Sequence, residues 1–565
     1  MYGNLPPRWY VILGHPNYYR MTLRKKLLGG AAGGLLLLGL TASTLAPVND
    51  KFFEIMKAIE VYTNVYKEVN TYYVDEIEPN KLMRTGIEAM VESLDPYTNY
   101  ISESDVEVAR LQQSGQYQGI GADIEYIRGL PTILTLYRDQ PADEAGLKTG
   151  DRILQVDGRP TADYNREQLE EIMRGFPGTV MNLTVDRPGV GEQQLELVRG
   201  DVDIPNVPYF GMLEQNVGYV ALTTFTQEAG KNVRDAVASL RADNPNLTGV
   251  VLDLRGNGGG LLSEAVEIVN IFVPKGETIV TTKGKVRDWN RSYETRGNPL
   301  DTDLPIAVLI NGRSASASEI VSGALQDLDR GVLIGQRSYG KGLVQNIMET
   351  GYGSRVKITT AKYYIPSQRC IQAIEYRDGK PYDIPDAQRA EFKTRAGRTV
   401  LDGGGVAPDI EVNVLGENNV AQGLLEEFII FDFVNEWVRD HPTIDSVADF
   451  RFTDWERFEQ YLSRADFNFT SKAETFLEQA AERAAEEGYD ITAELAAIQE
   501  KVDREQAQAI AGLKEEIIGI IEKEIAGRYY YQRGEVQMGL RNDREVQEAI
   551  AVLNDGARYR ELLSK

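Results

Sequence analysis

Apolar positions change their spacing three times along this chain. Phe52, Ile55, Met56, Ile59, Tyr62, Val65, Tyr66 and Val69 recur three and four apart, the spacing of one helix face. A second helix is expected over Lys81 to Leu94, ended by Asp95-Pro-Tyr-Thr98, so residues 50–113 read as a small helical domain. Over residues 114–200 the text turns to short strands with glycine turns, among them Asp123-Ile-Glu-Tyr126 and Pro131-Thr-Ile-Leu-Thr-Leu-Tyr137, plus a helix at about Arg166 to Arg174. Residues 201–415 alternate strand and helix, the pattern of an α/β core. Gly218-Tyr-Val-Ala-Leu222, Gly249 to Leu254, Pro305 to Ile310 and Val332 to Gly335 predict strands; Lys231 to Ala242, Leu262 to Phe272 and Glu319 to Gln326 predict helices. Residues 416–565 are mostly helical text, with stripes such as Leu424, Phe428, Ile429 and Phe433 and a further run from Ala480 to Ile525. Such an extension can cap the core, join copies or recruit a partner, and the pattern does not choose.

The N-terminus breaks all three periods. Arg20, Arg24, Lys25 and Lys26 precede a run from Leu27 to Ala46 that is almost wholly apolar. A basic flank before 20 such residues predicts a signal peptide or signal anchor over residues 21–46, with the basic side in the cytoplasm and the rest exported. Met21 is the more usual start for such a segment, so residues 1–20 read as a leader or mis-called start. The expected location is the cell envelope, periplasmic and either soluble or anchored in the inner membrane.

Composition narrows the chemistry. With 61 basic and 85 acidic residues the net charge is −24, which argues against a nucleic-acid partner. The single cysteine, Cys370, makes no internal disulfide. The two histidines, His15 in the leader and His441 in the acidic tail, offer no partner to a serine nucleophile. No H-E-x-x-H or Cys/His cluster points to a metal, and no cofactor is expected.

A serine that attacks a carbonyl here would need another base, and lysine can serve once burial has lowered its pKa from ~10.4. Ser316 lies in Asn311-Gly-Arg-Ser-Ala-Ser-Ala-Ser-Glu-Ile320, at a strand-turn-helix junction. The bland alternative is that Ser316-x-x-Glu319 only caps a helix, and Ser314 and Ser318 compete for the role. Lys341 of Gly340-Lys-Gly342 follows 25 residues later, within reach of one helix and one strand. Arg255-Gly-Asn-Gly-Gly-Gly260 ends a strand and precedes a helix, where bare N–H groups can meet an oxyanion.

Together these strings resemble the C-terminal processing peptidases, or tail-specific proteases. The resemblance rests on S-A-S-A-S-E-I, G-K-G-x-V-Q, D-L-R-x-N-x-G-G and the PDZ-type string Pro141-Ala-Asp-Glu-Ala-Gly-Leu-Lys-Thr-Gly-Asp-Arg-Ile-Leu-Gln-Val-Asp-Gly158. Leu94-Asp-Pro-Tyr-Thr-Asn-Tyr100 and Thr359-Thr-Ala-Lys-Tyr-Tyr-Ile-Pro366 extend it. It implies an α/β, crotonase-like peptidase core with an inserted PDZ domain, an N-terminal helical domain and a C-terminal helical extension. It also implies Ser316 as nucleophile, Lys341 as general base and Gln345 holding the lysine. The oxyanion hole would be the N–H of Ala317 with that of Gly258 or Gly259. In the PDZ segment, Gly119, Ile120, Gly121 and Ala122 would bind a peptide's terminal carboxylate, and Arg152 would contact the peptidase core and report tail binding. The polar segment between Ile371 and Val400 reads as an inserted loop or flap. Expected partners are polypeptides with free C-termini, the inner membrane, an adaptor protein and further copies of the chain. The competing readings are a catalytically silent PDZ scaffold and an acyl-CoA enzyme, the latter disfavoured by export.

Overall fold

The computed structural model describes residues 47–103, 116–377, 380–383, 385–412, 420–465, 467 and 472–564. The leader and the expected signal segment, residues 1–46, lie outside the described residues, as does the stretch 104–115. Among the described residues no helix is long and apolar enough to cross a membrane.

The described residues divide into two units, one up to Gly86 and one from Ile87 onward. In the first, the predicted stripe lies on a helix, Pro47–Tyr72, and most of its apolar side chains are exposed. Tyr66 donates from its hydroxyl to the Pro79 carbonyl at 2.8 Å. A second helix spans Pro79–Glu92. Within the stretch expected to be helical, the described helix ends at Glu92. Asp95 Oδ1 accepts the N–H groups of Tyr97 and Thr98 at 2.9 and 2.8 Å, turning the chain out of helix. Asn99–Ile101 then forms a strand antiparallel to Ser354–Tyr364.

The larger unit is organised by a six-stranded sheet. Its strands, in spatial as well as chain order, are β1 (Tyr209–Met212), β2 (Val217–Ala221), β3 (Gly249–Asp253), β4 (Ile306–Ile310), β5 (Val332–Gly335) and β6 (Ile410–Glu411). β1 is antiparallel to β2, and all later pairs are parallel. Every residue of β2, β3, β4 and β5 is buried, which is why these strands read as unbroken apolar runs: a parallel sheet is covered on both faces. One face carries α1 (Ala229–Asp243), α2 (Leu262–Phe272) and α3 (Ala317–Asp327), packed on Val220, Leu252, Val308 and their neighbours. The other face, with Tyr219, Val251, Ala307, Leu309 and Ile334, is covered by α4 (Arg544–Asn554) and α5 (Gly556–Ser564) through Val546, Ala549, Val552, Leu553 and Tyr559. Of the three roles open to the C-terminal extension, it performs the first: it caps the core.

A second sheet joins Asn99–Ile101, Ser354–Tyr364, Thr278–Gly284 and Arg291–Glu294, with Leu343–Gly351 also paired to Ser354–Tyr364. The polar stretch between Ile371 and Val400 contains two small hairpins, Ile374–Arg377 with Lys380–Asp383, and Glu391–Lys393 with Thr399–Leu401. The inserted segment is a five-stranded antiparallel path from Ala122–Ile127 to Gly191–Val198 with a helix at Arg166–Met173, capped reciprocally by Asn165 and Gln168. It rests on the C-terminal helices: Arg128 pairs with Asp432, and Tyr531 donates to Asp143 at 2.6 Å.

Leu553 touches the glycine at the start of β3, where a Cβ on Gly249 would come within 2.9 Å of Leu553 Cδ2. Leu553→Ala opens a cavity between α4 and the sheet and is expected to cost about 2–5 kcal/mol, read from urea unfolding. A loss below about 0.5 kcal/mol would mean that α4 adds little to the core.

Candidate active site

After β4 the chain makes a tightly bonded turn. Ser314 Oγ donates to the Leu254 carbonyl at 2.8 Å and accepts Asn311 N–H at 3.0 Å, while Asn311 Oδ1 accepts Gly256 N–H at 3.0 Å. Ser318 Oγ donates to the Asn257 carbonyl at 2.8 Å. Ser314 and Ser318 are fully buried and spend their hydroxyls on structure; Ser316 between them is part-exposed. Its backbone stands at φ 56°, ψ −111°, not the extended conformation usual for the residue before a helix. For a non-glycine residue this costs about 1–3 kcal/mol and persists only when the surroundings enforce it.

The glycine loop after β3 packs directly on this turn. Gly259 has φ +102°, and a Cβ there would lie 2.8 Å from the Ala315 carbonyl oxygen, 2.8 Å from Ser316 Cβ and 2.9 Å from Ala317 N. Only glycine fits. Of the two oxyanion donors left open by the sequence, Gly259 N–H is occupied, donating to Asn257 Oδ1 at 2.9 Å. Gly258 is exposed on the same loop, and Ala317 is the first residue of α3, where N–H groups have no helical acceptor.

The expected nucleophile and base are joined by a residue read from sequence only as a cap. Glu319, fully buried, accepts the N–H groups of Ser316 and of Lys341 on Oε2, each at 2.8 Å. Its Oε1 accepts Gly340 N–H at 2.6 Å and Ser338 Oγ–H at 2.5 Å. Burial pushes this carboxyl up to about 7, although all four donors pull it the other way. A second link is the Tyr363 hydroxyl, 3.1 Å from the Ser316 carbonyl oxygen and 2.5 Å from that of Lys341. The main chains of Ser316 and Lys341 thus share two bridging side chains.

The lysine amine lies 4.5 Å from the centre of the Tyr97 ring. Burial pushes it below the ordinary lysine range and the neighbouring Lys357 adds to that, while the carboxylates of Glu319 and Asp95 oppose. Burial is the largest cause and the net direction is down. Among the described residues no hydrogen bond connects Lys341 Nζ to Ser316 Oγ. Gln345 sends its amide to Thr359 Oγ1 at 3.2 Å, and Thr359 Oγ1 in turn donates to Asp95 at 3.2 Å. Gln345 therefore turns its amide toward Thr359, and among the described residues no hydrogen bond joins it to the Lys341 amine.

The other expected site residues lie in the inserted segment. A groove of about 220 Å³ is lined by Ile120, Ala122, Leu169 and Met173, with Tyr117 at its edge. Gly121 N–H donates to the Tyr117 hydroxyl at 3.1 Å, and the Ile120 carbonyl accepts Ala142 N–H at 2.7 Å. Arg152 forms its ion pair, at 3.7 Å, with Asp186 on the neighbouring strand of its own sheet, and among the described residues no hydrogen bond or ion pair joins it to the α/β core. The roles of Tyr97 and Tyr363 escaped sequence reasoning, although both lie in strings that carried the family resemblance.

Two substitutions separate these parts. Glu319→Gln replaces one acceptor by an NH2 group facing N–H donors, and is expected to lower kcat at least tenfold with Ser316 still present. Gly259→Ala forces a Cβ against the Ser316 turn and so displaces the neighbouring Gly258 N–H; it should lower kcat by about 10²–10³, the scale of losing one oxyanion donor, with an unchanged circular-dichroism spectrum. Wild-type kcat in either variant would remove that residue from the site.

A model of peptidase family S41 matches residues 216–386, a PDZ-domain model residues 132–187, and a model for the C-terminal helical domain of PDZ-proteases residues 420–553. A carboxy-terminal-processing protease of Bartonella bacilliformis is 36% identical over 321 residues, covering 56% of this chain and 73% of that one. The carboxy-terminal processing protease CtpA of Bacillus subtilis is 31% identical over 347 residues, 61% of this chain and 72% of its own. Among solved structures, a photosystem II D1 C-terminal processing protease is 26% identical, with 62% of this chain and 92% of that one covered at a TM-score of 0.35. On the strength of the two curated relatives, each matched over more than seven tenths of its length, the chain belongs to peptidase family S41 as a PDZ-containing serine peptidase of the carboxy-terminal processing group.

Proposed function

We propose that this peptidase cleaves by a Ser316/Lys341 dyad. The observation that carries the reading is the double bridge, through Glu319 and Tyr363, between the main chains of the two residues. In the proposed cycle neutral Lys341 accepts the Ser316 proton and the alkoxide adds to the scissile carbonyl. The negative charge on the carbonyl oxygen is met by the N–H groups of Gly258 and Ala317. Protonated Lys341 then gives its proton to the leaving amine, and water repeats the cycle on the acyl-enzyme. The amine must first leave Tyr97, whose ring face favours the ammonium form. Catalytic hydrogen bonds that are long without substrate commonly tighten in the substrate complex.

The proposed substrates are unfolded or tagged envelope proteins, captured by their C-termini at Gly119–Ala122 beside the groove lined by Ile120, Leu169 and Met173. The proposed location is the periplasm, supported by the basic and apolar run up to Ala46.

The full-length chain is mixed with an unfolded protein ending in apolar residues, beside Ser316→Ala and Lys341→Ala variants, and fragments are followed by mass spectrometry. Cleavage by the wild type alone is the expected result. Equal cleavage by all three would remove the dyad, and tail binding without cleavage by any would leave a scaffold. The pH dependence is a sharper test. Only neutral lysine acts as the base, so kcat/KM rises with pH through a pKa below ~10.4. Lys357→Met removes one of the two depressing causes, and the rising limb should move to higher pH. A limb that stays in place would mean that another group titrates.

A further inference from the structure

The carboxyl ends of three neighbouring strands emit the three loops of the candidate active site. β3 leads into the glycine loop through Arg255, β4 into the Ser316 turn, and β5 into the Lys341 loop. The N-terminus of α4, more than 200 residues downstream, sits at this junction. Arg255 Nη1 lies 2.7 Å from Asp543 Oδ2 and 2.5 Å from Glu545 Oε2, while its Nη2 is 2.5 Å from Asp253 Oδ2 at the end of β3. Arg255 N–H also donates to Asp253 Oδ1 at 2.9 Å, and Tyr219 donates to the other oxygen at 2.7 Å. Asp543 does two things at once. Its Oδ1 accepts the N–H groups of Glu545 and Val546, capping α4, and its Oδ2 takes the guanidinium. Among the described residues, Glu545 Oε1 is buried without a hydrogen-bond partner. A Cβ on Gly335, which ends β5, would lie 2.9 Å from that oxygen and 2.2 Å from the carbonyl oxygen of Ile310, which ends β4.

Three largely buried carboxylates around one guanidinium exceed what neutralising it requires. A surface ion pair contributes little, and an excess of buried acid costs stability. Burial pushes the Glu545 carboxyl up, as that excess demands. Stability therefore does not account for the arrangement, whereas its position does. Arg255 is three residues from Gly258, and the loop between is bonded at almost every step: Gly256 N–H to Asn311, Asn257 Nδ2 to the Leu222 carbonyl, and the Asn257 carbonyl to Ala315 N–H and the Ser318 hydroxyl. A shift of Arg255 would pass along this loop to Gly258.

We propose that Asp543 and Glu545, at the N-terminus of α4, are positioning residues for the peptidase reaction: through Arg255 they hold the glycine loop where its N–H meets the oxyanion. The proposal rests on the oxyanion reading given above. An interaction that matters only once the carbonyl oxygen becomes charged changes kcat and leaves KM in place.

The experiment uses the full chain and a peptide substrate with a free C-terminus, comparing wild type with the Asp543→Asn/Glu545→Gln double variant. Expected is a fall in kcat of about tenfold or more with KM within about twofold. Leu553→Ala, which loosens α4 without touching Arg255, serves as control and should keep a kcat near wild type at a comparable drop in Tm. The proposal is overturned if the double variant keeps its kcat, if only KM changes, or if Leu553→Ala loses kcat as severely. If the double variant does not fold, Glu545→Gln alone is measured against the same outcomes. Ser316→Ala run in parallel separates the failures. Activity in that variant sinks the Ser316 reading itself, while an inactive Ser316→Ala beside a fully active double variant sinks only the role of α4.

Discussion

A single buried carboxylate governs the geometry of this peptidase. Glu319 gathers donors from the Ser316 turn and from the loop Ser338–Lys341, two segments that leave different strands of the sheet. Taking a carboxylate wholly out of water is costly, and its four hydrogen bonds only partly offset that cost, as its elevated pKa indicates. The sign matters. Because the folded-state pKa is raised, keeping Glu319 ionised opposes folding, and the opposition grows as pH rises from the ordinary glutamate range through about 7. In return the strained backbone of Ser316 is held by bonds at its N–H and its carbonyl, so that the turn cannot relax.

The same economy explains the placement of the C-terminal helices. A parallel sheet needs cover on both faces. Here α1, α2 and α3 come from the intervals between strands, but all three pack on one side. The opposite side is left for residues far downstream, and α4 and α5 supply its apolar cover while Tyr559 meets the backbone of Ile306 at 3.0 Å. The C-terminal segment also carries the PDZ domain on the helices Ile429–Asp440 and Lys514–Gly539. Tyr531, at a φ of 55° inside the second of these, packs against the PDZ core.

The parts legible in the sequence were those written locally. Unbroken apolar runs identified β3, β4 and β5, and the range predicted for Leu262–Phe272 matches the helix. What could not be read depends on contacts between distant segments. Asn99–Ile101 follows two helices and is a strand only because Ser354–Tyr364 is beside it. Glu319 looked like a helix cap because one of its four bonds is a capping bond; the other three come from residues 338–341. That the Gly259 N–H is taken by the side chain of Asn257 is a contact that a run of adjacent glycines does not show as text. Lys341 could be named from its motif, whereas the Tyr97 ring above it sits 244 positions earlier in the chain.

The cover on the second face of the sheet has a temporal meaning. Synthesis runs from N- to C-terminus and domains fold as they emerge, so β2, β3, β4 and β5 are complete some 200 residues before α4 exists. During that interval Tyr219, Val251, Ala307 and Leu309 have no partner layer, and Arg255 lacks two of its three carboxylates. A nascent chain therefore carries every residue of the candidate active site in an unfinished frame.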